Sequence, residues 1–429
     1  MRRTLALVAA AALAAVLLLI VERVVYGIPF GSDAYSYLVW ARDAVQHGTT
    51  HHSSFDYTVP KPLELGVAAL GQFVGAPLAV FGWFTVLGQL AAIAAAAGLA
   101  FHLAGRRAAI VAGLLALALP VLWRGGPAGD SNVPYAALVV GAAACLPASY
   151  ASAALLGVAG LLRPEAWGLA AVAALLGWRH AVPLERLAAL ASVIVPPVIW
   201  LGLDRVLTGD TLWSQHVLDR YDARFHPSHI AFADLVSTLA DRVDPTLGWP
   251  LLLLALTGLA VSIGRRPFEP AAAFAFALIA LLIVQVGRGA VTNDDLGRML
   301  TVLGLLGTAG GAALLAALPG RVVLPLAIVL CLAFVASPLR TAFRGIDHQA
   351  QAAGTLEHRV GPALRRRPPT GLIGVDRAFQ GAVALYSGIP RRRIVPLGAI
   401  GREVRPGSIG ARVRVRPPRV SLAYRSGSG

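Results

Sequence analysis

Ionisable residues are scarce in this chain, so those that interrupt its apolar runs are the ones to read first. Gly31-Ser32-Asp33-Ala34-Tyr35 follows the first apolar run and sets a carboxylate among Tyr35, Tyr37 and Trp40. A carboxylate partly withdrawn from water gains proton affinity, so Asp33 could take a proton from a hydroxyl nucleophile. The same residues also suit a helix start, with Ser32 or Asp33 as the N-cap of a helix over 34–46. A second set is cationic: Lys61, Arg163 with Glu165 two residues on, and Arg298 after Asn293-Asp294-Asp295. Cations gathered at one surface could stabilise charge developing on a phosphate oxygen, with Glu165 orienting Arg163. Taken singly, each is equally an anchor that ends a helix at the interface.

A third set lies in Thr208-Gly209-Asp210-Thr211-Leu212-Trp213-Ser214-Gln215-His216, from which Asp210 and His216 join Tyr35 as substrate-pocket candidates. His51-His52, His226 and His229 lack a dependable zinc spacing, because adjacent rings rarely reach one ion. Cys145 and Cys331 sit inside apolar runs and read as small core residues. The sequence contains no phosphate-binding glycine loop, dinucleotide fingerprint or serine elbow.

The elements that must position these residues are membrane spans. The chain has 429 residues, of which 57% are hydrophobic and 14% charged, with a mean hydropathy of +0.68. A soluble domain with that balance would carry a greasy surface, so the surrounding solvent is mostly lipid. The net charge of +15 suggests nucleic acid at first sight, but it collects after Arg340, opposed there by Asp347, Glu357, Asp376 and Glu403. It is a property of one terminal segment, and no nucleic-acid partner is expected.

Apolar runs free of Asp, Glu, Lys and Arg follow a first span ending near Val21. They cover about 78–104, 108–123, 132–148, 151–162, 166–178, 187–203, 247–264, 271–287, 299–318 and 322–338, an all-α polytopic protein of about eleven spans. A crossing needs roughly 20 residues, so 151–162 and 166–178 read as a thinned, partly re-entrant pair and 63–76 as an interfacial helix. Arg2-Arg3, Arg106-Arg107, Arg179, Arg186, Arg265-Arg266 and Arg321 then share one side, which the positive-inside rule makes cytoplasmic. The N-terminus is expected inside. The first loop, Arg163-Pro164-Glu165, the 205–245 loop and the tail are expected outside.

A small α/β cap is expected in the tail 341–429, following the membrane unit 1–340. Strands are expected at 370–376 and 394–397, a short helix at 379–386, and a two-stranded ribbon near the end. Arg412, Arg414 and Arg416 alternate with Val413 and Val415, giving the ribbon a basic face. That face is either simply solvated or attracted to anionic headgroups or a phosphorylated carrier.

Three features in order resemble the glycosyltransferase-C superfamily: Gly31-Ser32-Asp33-Ala34-Tyr35, Lys61-Pro62-Leu63 and Leu162-Arg163-Pro164-Glu165-Ala166-Trp167. The 208–214 loop and the terminal cap are similar to those of bacterial members. The resemblance implies a bacterial plasma-membrane enzyme that moves a sugar from a polyprenyl-phosphate donor to a hydroxyl of a cell-envelope acceptor outside the cell, with inversion. It casts Asp33 as base, Lys61, Arg163 and Arg298 as phosphate ligands, and Glu165 as the group orienting Arg163. Many relatives carry a second acid beside the aspartate. Ala34 stands there in this chain, which leaves a role for a divalent metal open. The alternatives are a transporter or flippase of a lipid-linked solute, or a non-catalytic envelope-assembly protein. Transporters place charge inside spans and show repeat symmetry, and neither is evident here.

Overall fold

The computed structural model describes residues 30–48, 59–125, 128–146, 150–178, 181–225, 293–319 and 348–424 without 401–403 and 418, plus residue 280 and short helical pieces between 322 and 329. Helix α1, Ser32–His47, is capped by Gly31 and carries Asp33 in its first turn. Neither Ser32 nor Asp33 is its N-cap, because the helix opens one residue earlier than that reading requires. It closes on Gly48, whose φ of 68° is the left-handed conformation that ends helices. Helix α2, Pro62–Phe73, has Pro62 at its first position, where a missing N–H is no loss. It occupies the run expected as an interfacial helix, and Lys61 is its N-cap residue.

Pro77–Leu117 is assigned as one helix, α3, but Ala104 and Gly105 are non-helical and Gly105 has φ 76°. The two arms on either side of that break match the expected runs 78–104 and 108–123, with the turn at Arg106-Arg107. The second arm stops at Leu117, and Pro120 opens the short α4, Pro120–Gly125. The chain has by then returned to the level of Gln89, whose amide donates to the Leu122 carbonyl at 2.7 Å. Helix α5, Asn132–Ala144, runs back along α3.

Helices α6, Tyr150–Gly160, and α7, Glu165–Gly177, form an antiparallel hairpin. Ser152 and Leu156 share a small cavity of about 30 Å³ with Ala173 and Gly177, while at the other end Trp167 donates to the Gly160 carbonyl at 3.1 Å. At 1.5 Å per residue these helices are roughly 17 and 20 Å long, short of the roughly 30 Å hydrocarbon core. Helix α8, Pro183–Thr208, lies against both, with Pro196 packed on Gly160 and Trp200 edge-on to Trp167. Helices α9, Trp213–Phe225, and α10, Asn293–Leu315, complete the described helices of this unit.

Among the described residues, Pro77–Leu117 and Pro183–Thr208 are long and apolar enough to cross a membrane, with shorter apolar helices beside them. The expected first span and those at 247–264 and 271–287 lie outside the described residues, as does most of 322–338. Between α3, α5 and α10 the core is largely alanine, which lets backbones approach closely. Large apolar side chains point outward instead: Trp83, Leu87, Phe101, Leu175, Ile194, Val198 and Val206 are all exposed. A large apolar surface facing outward along a bundle with a small-residue interior is what a lipid solvent selects.

The C-terminal unit follows the expectation closely. Strands β1, Leu372–Val375, β2, Ile394–Pro396, β3, Ile409–Arg416, and β4, Arg419–Tyr424, form one sheet in the order β2-β1-β3-β4. The first three are parallel, and β3 and β4 are the expected antiparallel ribbon. Along β3, Ala411, Val413 and Val415 are buried while Arg412, Arg414 and Arg416 are exposed, so the period of two decides which face is basic. Helix α11, Gly361–Arg366, and helix α12, Gln380–Ser387, cover the apolar face. This unit does not stand apart, because its core is continuous with α1 and α2. A Cβ on Gly381 would lie 2.8 Å from the Tyr35 Cβ, so glycine is what lets α12 seat on α1.

Candidate active site

Three ties between remote segments, made by four hydrogen bonds, assemble the site at one end of the bundle. The Gly31 N–H donates to the Ala128 carbonyl at 2.6 Å, tying the start of α1 to the loop before α5. The Leu63 N–H donates to the Leu161 carbonyl at 3.2 Å, tying the start of α2 to the α6–α7 turn. The third tie is made by side chains. Lys61 Nζ donates to Ser131 Oγ at 2.7 Å, and Arg163 Nη2 donates to the same oxygen at 3.1 Å. Lys61, Arg163 and Ser131 are all buried.

Acids surround this pair. Glu64 Oε2 is 3.4 Å from Lys61 Nζ, one helical turn away, and Asp130 Oδ1 is 4.0 Å from Arg163. Asp130 also accepts from the Asn132 amide at 2.6 Å and from its backbone N–H at 3.0 Å, which fixes the carboxylate at the start of α5. Glu64 is fully buried, and neither of its oxygens accepts a hydrogen bond among the described residues. Burial pushes its carboxyl up to about 7. The Lys61 and Arg163 charges pull it back down, and those of Asp33 and Asp130 add to the rise.

Asp33 is exposed on the first turn of α1, and its charge reaches both Glu64 and Tyr37. Tyr37, one turn further on, is buried beneath Lys61, with Nζ 5.7 Å from the ring centroid and its hydroxyl donating to the Val59 carbonyl at 2.9 Å. Burial holds the Tyr37 phenol well above its ordinary value, helped by the Glu64 and Asp33 charges. The result is an open carboxylate beside two sequestered cations that converge on one hydroxyl. A single phosphate could take the place of that shared hydroxyl contact for both.

Two solved proteins with a similar fold are membrane glycosyltransferases. ArnT from Cupriavidus metallidurans, bound to undecaprenyl phosphate, aligns with TM-score 0.59 at 16% identity over 96% of this chain and 98% of its own. The oligosaccharyltransferase of Archaeoglobus fulgidus in the apo form aligns with TM-score 0.54 at 13% identity, over 94% of this chain and 65% of its own length. Both are glycosyltransferase-C enzymes. This chain has the glycosyltransferase-C fold. No family model and no curated protein matches its sequence.

Within that fold the expected residues divide. Asp33, Lys61 and Arg163 meet at one end. Glu165 opens α7 nearby, but it is not the ion partner of Arg163, because Asp130 holds the position within 4.0 Å. The charges of Glu165 and Arg163 both reach the Tyr135 hydroxyl on α5. Arg298 lies in the first turns of α10, and its side chain is outside the described residues.

Tyr35 does not enter the pocket. Its ring is buried edge-on between Phe30 and Tyr386, with a 3.3 Å contact between the two tyrosine hydroxyls. The 100° helical step turns Tyr35 toward the cap and leaves Asp33 and Tyr37, four residues apart, on the site side. Asp210 and His216 pair with each other at 2.6 Å, both partly exposed. Asp210 accepts from the Leu212 N–H, and Ser214 binds the Asp204 carboxylate through Oγ and N–H at 2.8 Å, so this loop is a tied turn between α8 and α9. The hydrogen bond from His216 holds the Asp210 carboxyl below its ordinary value, assisted by the Leu212 N–H. No contact among the described residues carries this pair to Lys61 or Arg163.

Ser131, Asp130, Glu64 and Tyr37 were not singled out from the sequence. Gly129-Asp130-Ser131-Asn132, a run of small polar residues at the foot of an apolar helix, is the signal that pointed to two of them. Among the described residues no group of three or more His, Cys, Asp or Glu gathers as a metal site.

Proposed function

We propose that this protein transfers a sugar from a polyprenyl-phosphate donor to a hydroxyl of a cell-envelope acceptor at the extracytoplasmic face of a bacterial plasma membrane. The observation that carries the reading is the convergence of Lys61 and Arg163, about a hundred positions apart in sequence, on the Ser131 hydroxyl. Two buried cations sharing one neutral acceptor have capacity left for an anion. In the proposed step Asp33 takes the acceptor O–H proton as the oxygen bonds to the anomeric carbon. The bond from that carbon to the phosphate oxygen breaks with inversion, and the electron pair leaves on the oxygen facing Lys61 and Arg163. Arg298 is proposed as a third phosphate ligand from α10.

The supporting placement is that Asp33 is open to solvent while the cations are not, as an acceptor-side base and a donor-side phosphate site require. The fold shared with ArnT, which was solved with undecaprenyl phosphate bound, agrees with a lipid-phosphate donor. The test is transfer from a panel of labelled polyprenyl-phosphate sugars to envelope acceptors by the purified protein. Asp33→Asn is expected to lower turnover by about 10²–10⁴-fold, the usual worth of a positioned base, with donor binding retained. Transfer that survives Asp33→Asn unchanged removes Asp33 from the reaction. Failure of every donor favours the flippase or assembly reading.

A further inference from the structure

Glu64 is a buried ionisable group at the site to which the proposed reaction gives no role. It lies one turn into α2, fully buried, with no hydrogen-bond donor on either oxygen among the described residues and the Lys61 ammonium at 3.4 Å. Its charged neighbours among the described residues come from four segments. Lys61 caps its own helix, Arg163 comes from the α6–α7 turn, Asp130 from the loop before α5, and Asp33 with the Tyr37 phenol from α1. Helix α3, packed along α2, carries no Asp, Glu, Lys or Arg before Arg106.

The charges balance in a way that works against the proposed ligand. Lys61 and Arg163 supply two positive charges, and ionised Glu64 and Asp130, at 3.4 and 4.0 Å from them, match these even before the Asp33 charge is counted. A phosphodiester entering that balanced set gains little. With Glu64 neutral, Lys61 loses its acid partner and, among the described residues, keeps the Ser131 hydroxyl and the Tyr37 ring face. The carboxyl sits where burial brings its titration to about 7, so the two states are close in free energy and a small input selects between them.

We propose that Glu64 is a positioning residue that keeps Lys61 beside Ser131 before the donor binds and releases it to the incoming phosphodiester by taking up a proton. This rests on the reading of Lys61 and Arg163 as the phosphate site. Adding the negative charge of the ligand raises the proton affinity of Glu64 further, so binding and proton uptake are linked. The sign follows directly. Below pH 7 Glu64 is already neutral and binding is undiminished. Above it, binding must first protonate Glu64, and affinity falls with each unit of pH.

The experiment measures binding of a polyprenyl methyl phosphate, a diester with one fixed charge, to the purified full-length protein between pH 6 and pH 8.5. Wild-type affinity is expected to drop about thirtyfold across that range, most of it above pH 7, one pH unit of fully linked proton uptake being a factor of ten. Glu64→Gln is expected to match wild type at pH 6 and hold that affinity at pH 8.5. Histidine titrations affect both proteins alike, so the difference between them isolates Glu64. A Glu64→Gln profile that falls in parallel with wild type overturns the inference and leaves the phosphate site standing. Absence of wild-type binding at every pH overturns the phosphate site itself. Should Glu64→Gln not fold, calorimetry on wild type at pH 7.5 in two buffers of different ionisation heat reads the same linkage. Uptake of half a proton or more, roughly, supports it, and none overturns it.

Discussion

Ser131 is the residue at the site whose loss is most informative. Its hydroxyl accepts from Lys61 and Arg163 together, so Ser131→Ala leaves two buried donors short of an acceptor. Hydrogen bonds to charged groups are worth about 1.5–3 kcal/mol, and a thermal melt should show a loss of that order. Undecaprenyl phosphate should restore most of it, because the phosphate supplies the missing acceptor. A loss that the lipid does not reduce would mean that Ser131 is purely structural. Sequence reading at this scale was uneven. Asp33, Lys61 and Arg163 were legible because each interrupts an apolar run. Tyr35 was singled out for standing beside an aspartate, but adjacency says nothing about which face of a helix a side chain takes, and its ring packs toward Tyr386. Glu165 was chosen as the partner of Arg163 by nearness in sequence, whereas the Arg163-Pro164 turn directs the guanidinium toward Asp130.

At the scale of elements, α1 is the hinge piece, with the catalytic candidate on one face and the cap on the other. Gly381 makes that contact possible, since any side chain there meets the Tyr35 Cβ at 2.8 Å and the Ser36 nitrogen at 3.0 Å. Gly381→Val should therefore loosen the cap from α1 at a cost of about 1–3 kcal/mol, the usual range for overpacking. The readout is limited proteolysis, with earlier cleavage between the two units. Equal resistance in both proteins would show that the seat tolerates a side chain. The cap strands were readable because a period of two with Gly and Pro boundaries is a local signal. That α12 shares a core with a helix more than 300 residues earlier was not readable, because nothing in either segment encodes the pairing.

For the whole molecule, the sequence reading puts Arg106, Arg107 and Arg186 on the side away from the first loop, Arg163 and the tail, and this sidedness can be tested. Arg106 and Arg107 occupy the turn of α3, and Arg186 lies near the cavity between the far ends of α6, α7 and α8. Lys61, Arg163 and the cap lie at the opposite end. Single cysteines at Arg107 and Ser421 should thus label from opposite sides of sealed vesicles with an impermeant reagent, and labelling from the same side would refute the arrangement. The number of spans was hard to read, since α6 and α7 are too short to be recognised as crossings by length.

The central claim is that one donor phosphate is held between Lys61 and Arg163. Its most direct measurement is a double-mutant cycle on undecaprenyl phosphate binding, using Lys61→Met, Arg163→Met and the pair. If both cations grip the same phosphate, each single change weakens binding by about tenfold or more, and the double variant loses less than the product of the two. Unchanged affinity in either single variant, or losses that simply multiply, would contradict a shared site.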